Sequence, residues 1–261
     1  MDYQSIFERV EAKYVITRKQ YELLMNELTD RLTPDRFPHS EISSIYFDTD
    51  DFCLIRTSLD KGCYREKLRL RSYCLKDDSS EVFIEMKKKY HGVTYKRRQA
   101  VTYRQAMNYI LFNKMPFDSQ ILKEVDYLMN KYPDLKPKVL IRYQRDSFSG
   151  IDDPSLRITF DYQIEYSTDN LTLFNRNPEK KLTDNDTIIM EVKSLNAMPL
   201  WMTSVLDKMN IFPGNFSKYV RIYTNDIMKG VKLCLNNYSH PYTAERSRLK
   251  YLSSAQLHQS Y

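Results

Sequence analysis

The chain has 261 residues, 42% apolar and 28% charged, which is enough to bury a full core and unlike a disordered or fibrous protein. Only five glycines are present, with no GxxxxGK[ST] and no GxGxxG, so glycine-rich phosphate loops are excluded and any phosphate must be held by side chains. The formal net charge of +6 points to an anionic partner without choosing among nucleic acid, membrane surface and phosphorylated small molecule.

Residues 8–17 alternate as a strand, and 18–31 carry helical spacing at Tyr21, Leu24, Met25 and Leu28. A strand is expected over 41–48 and a short helix over 50–59. Three long strands follow at 63–75, 80–90 and 93–103, the last two joined by the turn signal His91-Gly92. Helices are expected over 104–113 and 118–131, the second with Ile121, Leu122, Val125, Leu128 and Met129 on one face. "YPDLKP" at 132–137 breaks the chain. Strands at 138–148 and 156–167 flank the turn "GIDDPS". A weaker strand near 171–174, a strand at 187–195 and helices at 199–209 and 217–229 complete the body. No linker divides it, so one domain is expected over 1–236, with a patternless tail over 237–261.

Residues two apart on a strand share a face about 6.7 Å apart. Arg9, Glu11 and Lys13 then oppose Val10, Ala12, Tyr14 and Ile16. Arg65, Lys67, Arg69 and Arg71 oppose Leu68 and Leu70. Glu85, Lys87 and Lys89 oppose Val82, Ile84 and Met86, and Lys96 and Arg98 share a register with Arg97 on the other face. Arg157, Thr159 and Asp161 oppose Leu156, Ile158 and Phe160, and Glu191 and Lys193 oppose Ile188, Met190 and Val192. For one strand, the plain account is a charged face in water. Here the charged face is mostly cationic on strand after strand, and each like-charged pair at about 7 Å costs roughly 2 kcal/mol at an effective dielectric of about 20. A polyanion that neutralises the cations accounts for the pattern. Long antiparallel strands with apolar outer faces suit a closed barrel covered by amphipathic helices.

Cys53, Cys63, Cys74 and Cys234 form no CxxC pair, and the four histidines are scattered, so free thiols are expected and a zinc site is not. The N-terminal residues lack a signal-peptide pattern, and no apolar run approaches the roughly 18 residues of a membrane span. A cytoplasmic location is the expectation. Trp201, with Leu200, Met202 and Val205, reads as helix packing, and Asp161 as an arginine partner.

The runs "FERVEAKY" (7–14), "SIYFDT" (44–49), "KLRLRSY" (67–73), "FIEMKKK" (83–89), "YKRR" (95–98), "YQRDSF" (143–148), "LRITFD" (156–161), "IIMEVK" (188–193) and "NFSKY" (215–219) together resemble the VTC domain. This is the polyphosphate-polymerase domain of the vacuolar transporter chaperone complex, within the triphosphate tunnel, or CYTH-like, superfamily. The resemblance implies an α+β fold: an eight-stranded antiparallel β tunnel barrel with a basic lumen, clad by several helices. It implies transfer of the γ-phosphoryl of ATP onto inorganic polyphosphate with Mn²⁺ or Mg²⁺. Matched by position, Lys13, Arg69, Arg71, Lys87, Arg145, Arg157 and Lys218 would carry the catalysis, with Arg98 and Ser217 as further phosphate contacts and Tyr46 against phosphate or nucleoside. Arg9, Lys89, Lys96 and Lys193 share the cationic faces and join the phosphate-binding set. Glu191 matches the metal carboxylate, and Glu85 is open between metal binding and orienting Lys and Arg. The superfamily's ExExK reads Arg-Val-Glu-Ala-Lys at 9–13, so Arg9 stands where a metal-binding glutamate is usual. The alternatives are a metal-dependent triphosphatase and a non-catalytic polyphosphate-binding module. A duplex nucleic acid is not expected inside a narrow barrel. The regulatory helical domain and membrane segments of the eukaryotic complex are not recognised here, so any membrane partner would be a separate protein.

Overall fold

The computed structural model describes residues 9–91, 93–195 and 197–228; the side chain of Arg9, the Gly92 turn position and the tail expected over 237–261 lie outside the described residues. The strands are β1 (Arg9–Thr17), β2 (Leu32–Asp48), β3 (Tyr64–Ser72), β4 (Glu81–Tyr90), β5 (Val93–Thr102), β6 (Lys136–Gly150), β7 (Arg157–Ser167), β8 (Lys180–Lys181) and β9 (Thr187–Leu195). The helices are α1 (Arg18–Glu27), α2 (Cys53–Leu59), α3 (Tyr103–Phe112), α4 (Gln120–Lys131), α5 (Leu200–Lys208) and α6 (Lys218–Ile222), the last continued by a π-helical turn over Tyr223–Ile227. The strands hydrogen-bond in the order β1-β9-β7-β6-β2-β3-β4-β5, with β8 beside β7. Together with the helices they make the α+β antiparallel fold expected from the sequence. No helix among the described residues is long and apolar enough to cross a membrane.

Two compact units interleave along the chain. Of the described residues, the first comprises 9–45, Ser72–Cys74 and Val139–Ile222; the second comprises Tyr46–Arg71, Leu75–Lys138 and 223–228. In the first unit, the alternation of β1, β7 and β9 directs Tyr14, Ile16, Ile158, Phe160, Ile188, Met190 and Val192 into one core with Leu24 and Leu28 from α1 and Met202 and Leu206 from α5. A capping box starts α1: Thr17 Oγ1 accepts from the Gln20 amide at 3.1 Å, and Gln20 Oε1 accepts from the Thr17 amide at 3.0 Å. Trp201 packs against this core with the Arg31 guanidinium 5.0 Å from its ring centroid.

In the second unit, Leu68, Leu70 and Ile84 converge with Tyr109 and Ile110 of α3 and Val125 and Met129 of α4 around a small apolar cavity. The leucine face of β3 is therefore the helix-packed one. Glu66 shares that face and is 4% exposed, but it accepts hydrogen bonds from Tyr64 at 2.6 Å and Lys131 at 3.0 Å. Arg97 turns the same way, with its Nε 3.4 Å from Glu124 of α4. A second capping box, Thr102 with Gln105, turns β5 directly into α3.

Three elements differ from expectation. β2 begins at Leu32 rather than 41, because Pro34 and Pro38 are compatible with extended backbone and residues 33–40, exposed or half-buried, carry no apolar alternation to read. Residues 171–174 form a turn, with Leu173 buried and the Asn175 amide bonded to the Thr172 carbonyl at 3.0 Å; β8 supplies the strand there instead. Helix α1 stops at Glu27, short of residue 31, where the Leu28 amide closes the last turn on Leu24.

Candidate functional site

The antiparallel register of β3, β4 and β5 builds a cationic ladder in the second unit. Arg71 faces Phe83; the next rows are Arg69·Glu85·Arg98, Lys67·Lys87·Lys96 and Arg65·Lys89. Eight cations thus share one sheet face, with Glu85 in their midst. Glu85, with its side chain 2% exposed, sits among four of them. Arg69 Nε lies 2.6 Å from its Oε2 and Arg98 Nε 2.6 Å from its Oε1, while Lys96 Nζ approaches Oε1 at 3.4 Å and Arg71 Nε approaches Oε2 at 3.6 Å. Burial would raise the Glu85 pKa, but Arg69 and Arg71, then Lys96 and Arg98, hold it down at about 2. Glu85 therefore stays ionised and fixes its arginines.

Tyr46, at the end of β2, accepts a hydrogen bond from Arg69 at 2.9 Å. Burial opposes ionisation of its phenol, yet the positive field of Arg69 and Arg71, the Arg69 hydrogen bond and Lys67 bring it down to about 7. Arg98 lies 4.6 Å over the Phe83 ring, which directs its guanidinium. At the far row, Arg65 Nε is buried without a hydrogen-bond partner.

The first unit carries a second cluster on the face opposite its apolar core. Asp161 is held by Arg145 through two contacts, Nε–Oδ1 at 2.5 Å and a terminal nitrogen–Oδ2 at 2.8 Å, and by Lys218 Nζ at 2.5 Å. The Lys218 ammonium also lies 4.1 Å from the Tyr143 ring centroid. The Asp161 pKa is lowered: burial works against ionisation, and Lys218 and Arg145 outweigh it. Asp161 is thus an arginine and lysine partner, the role expected for it.

One row along, Lys13, Glu191, Thr159 and Ser147 stand opposite one another across β1, β9, β7 and β6. Lys193 Nζ is 2.6 Å from Glu191 Oε1, Lys13 Nζ is 4.0 Å from Oε2, and Glu11 Oε1 is 3.6 Å from Lys13. Burial again opposes ionisation of Glu191, but the adjacent Lys193 and Lys13 ammoniums push its pKa well below the carboxylate range.

The expected residues therefore gather in two places. Tyr46, Arg69, Arg71, Glu85, Lys87, Lys89, Lys96 and Arg98 lie in the second unit, the exposed Lys87 between Lys67 and Lys96 and Lys89 opposite Arg65. Lys13, Arg145, Arg157, Glu191, Lys193, Ser217 and Lys218 lie in the first. Arg157 is 55% exposed and pairs with Asp35. Ser217 precedes α6, its carbonyl accepting from the Arg221 amide at 2.9 Å. Arg9 opens β1 opposite Leu195. Two participants were not singled out from sequence, Glu11 and Thr159. The alternation put each on the charged face, but only the cross-strand register sets them beside Glu191.

Among the described residues, no three His, Cys, Asp or Glu side chains group as a self-sufficient metal cage. Glu191 with neighbouring Glu11 is a two-carboxylate, hard-oxygen set. It fits a cation such as Mg²⁺ or Mn²⁺ that takes its remaining ligands from substrate phosphates and water.

Compared with known proteins, the sequence matches the model of the VTC domain over residues 8–224. No curated protein matches it. Among solved structures, it is similar to a protein of Bacillus halodurans described as a candidate adenylate cyclase, at 13% identity and TM-score 0.45, covering 92% of this chain and 96% of that one. It is also similar to PH1819 of Pyrococcus horikoshii, at 11% identity and TM-score 0.45, covering 84% and 99%.

Proposed function

The chain belongs to the VTC-domain family, and from that premise we propose that it is an ATP-dependent polyphosphate polymerase. The observation that carries the reading is the length of the β3–β5 ladder. At about 3.4 Å per residue, the cations from Arg71 to Arg65 run along roughly 20 Å of strand. That is more than the three phosphates of a nucleotide call for, and it suits a linear polyanion lying along the sheet. The buried, unpartnered Nε of Arg65 at the outer row supports the same reading.

In the proposed reaction, a terminal phosphate oxygen of the chain attacks the γ-phosphorus of ATP. The bond from that phosphorus to the β–γ bridging oxygen breaks, ADP leaves, and the chain is one phosphate longer. No protein nucleophile is needed, so catalysis rests on positioning and on charge stabilisation. Arg69, Arg71, Arg145 and Arg157 present planar forks to phosphate oxygens, the first three of them pre-oriented by Glu85 or Asp161. Lys13 and Lys218 in the first unit, and Lys87 in the second, offset charge on the phosphates bound at their own cluster. Arg9, Lys89, Lys96, Arg98, Lys193 and Ser217 add phosphate contacts, and Tyr46 sets the Arg69 fork. Glu191, with Glu11, would hold a divalent cation that draws charge from the phosphate oxygens.

Incubation of the purified protein with ATP and Mn²⁺ should yield a polyphosphate ladder on a gel. E191Q should lower the rate by at least about tenfold while tripolyphosphate still binds. Release of free phosphate without a ladder would replace this reading by a triphosphatase. Binding without turnover would leave a polyphosphate-binding module.

A further inference from the structure

Thr159 is 5% exposed, yet its Oγ1 has no hydrogen-bond partner. Buried hydroxyls are normally paired, and an orphan carries a desolvation penalty that folding alone does not recover. Its surroundings narrow what could pair with it. Directly opposed residues on neighbouring strands hold their Cβ atoms about 5 Å apart, which sets Thr159 between Glu191 of β9 and Ser147 of β6. Two positions along β7 in either direction are Asp161, held by Arg145 and Lys218, and Arg157, opposite Lys193. Neither neighbouring carboxylate takes the Thr159 proton: Glu191 is engaged by Lys193, and Asp161 by its two cations. The hydroxyl is thus a neutral, directional donor on a face populated by cations.

We propose that Thr159 Oγ1 donates a hydrogen bond to a phosphoryl oxygen bound on this face, making it a phosphate-binding residue in addition to the cations. The assignment rests on the phosphate-binding reading of the first-unit cluster. A short hydroxyl complements lysine and arginine here, because it fixes the orientation of one oxygen without adding repulsion to an already cationic face. The unpartnered state of the free protein is then a stability cost retained for binding, as functional sites often show.

The test compares wild type, T159V and T159S by calorimetric titration with tripolyphosphate in EDTA and by thermal melting without ligand. Valine keeps the shape and strand preference of threonine, so the fold is retained. T159V should bind roughly tenfold more weakly, since a hydrogen bond to a charged group is lost. It should also melt roughly 2–4 °C higher, since the orphan hydroxyl is gone. T159S should bind as wild type does. Equal affinity for T159V and wild type would overturn the assignment, and so would a lower melting temperature, which reveals a structural partner. A loss seen only when Mn²⁺ replaces EDTA would make the hydroxyl a metal ligand and also overturn it. Absence of tripolyphosphate binding by the wild type would instead sink the phosphate-binding reading of the whole cluster.

Discussion

Tyr46 and Glu85 illustrate how neighbouring arginines set the charge of an acidic group against its burial. Both pKa values lie below those of the free side chains, at about 7 and about 2, because Arg69 and Arg71 stand beside each. For an acid whose folded pKa is depressed, the stability contributed is present above the unfolded value and lost as pH falls through the folded one. For Glu85 that window runs from about 4.5 down to about 2, so its ion pairs are intact at neutral pH. For Tyr46 the window runs from 10.0 down to about 7. Ultraviolet difference titration should show one phenol ionising near neutrality in the wild type and none there in Y46F. Saturating polyphosphate should move that ionisation upward, because the bound anion cancels the field of Arg69 and Arg71. A titration unchanged by polyphosphate would argue against anion binding at this end of the ladder.

Strands β3, β4 and β5 behave as one charged element. Their rows place Lys67, Lys87 and Lys96 side by side, a repulsive arrangement that Glu85 relieves only one row away. Replacing Glu85 by Gln removes the buried negative charge that Arg69, Arg71, Lys96 and Arg98 share. Denaturant unfolding of E85Q should show a loss of about 3–5 kcal/mol. Tripolyphosphate should restore part of that loss by supplying the missing negative charge. A loss below about 1 kcal/mol would mean that water already screens these cations. Strands β3 and β4 were legible in the sequence because alternation of apolar with charged side chains leaves one reading of the faces, whereas β5, exposed over its first six residues, was marked by the turn before it. The first half of β2 was not legible, since residues 33–40 carry no buried apolar side chain and contain two prolines, so hydrogen bonding rather than pattern makes it a strand.

For the molecule as a whole, a net charge of +6 concentrated on sheet faces predicts strong, salt-sensitive stabilisation by linear polyanions. Polyphosphate at about a hundred times its Kd adds about 2.7 kcal/mol by mass action, or roughly 5–11 °C in Tm. The shift should shrink steeply as ionic strength rises, and duplex DNA of equal charge should give little of it. An equal shift with duplex DNA would point to nonspecific attraction by the net charge. The sequence by itself determined which residues share a strand face, because side chains alternate with a period of two. It thereby separated Leu68 and Leu70 from Arg69 and Arg71, and the ordered motifs identified the family. Only the tertiary structure decided which charges neutralise one another. Cross-strand register gave Glu85 to Arg69 and Arg98, Asp161 to Arg145, and Glu191 to Lys13, and it left Thr159 buried without a partner. Register arises from pairing between segments far apart in the chain, so alternation within any one strand carries no record of it.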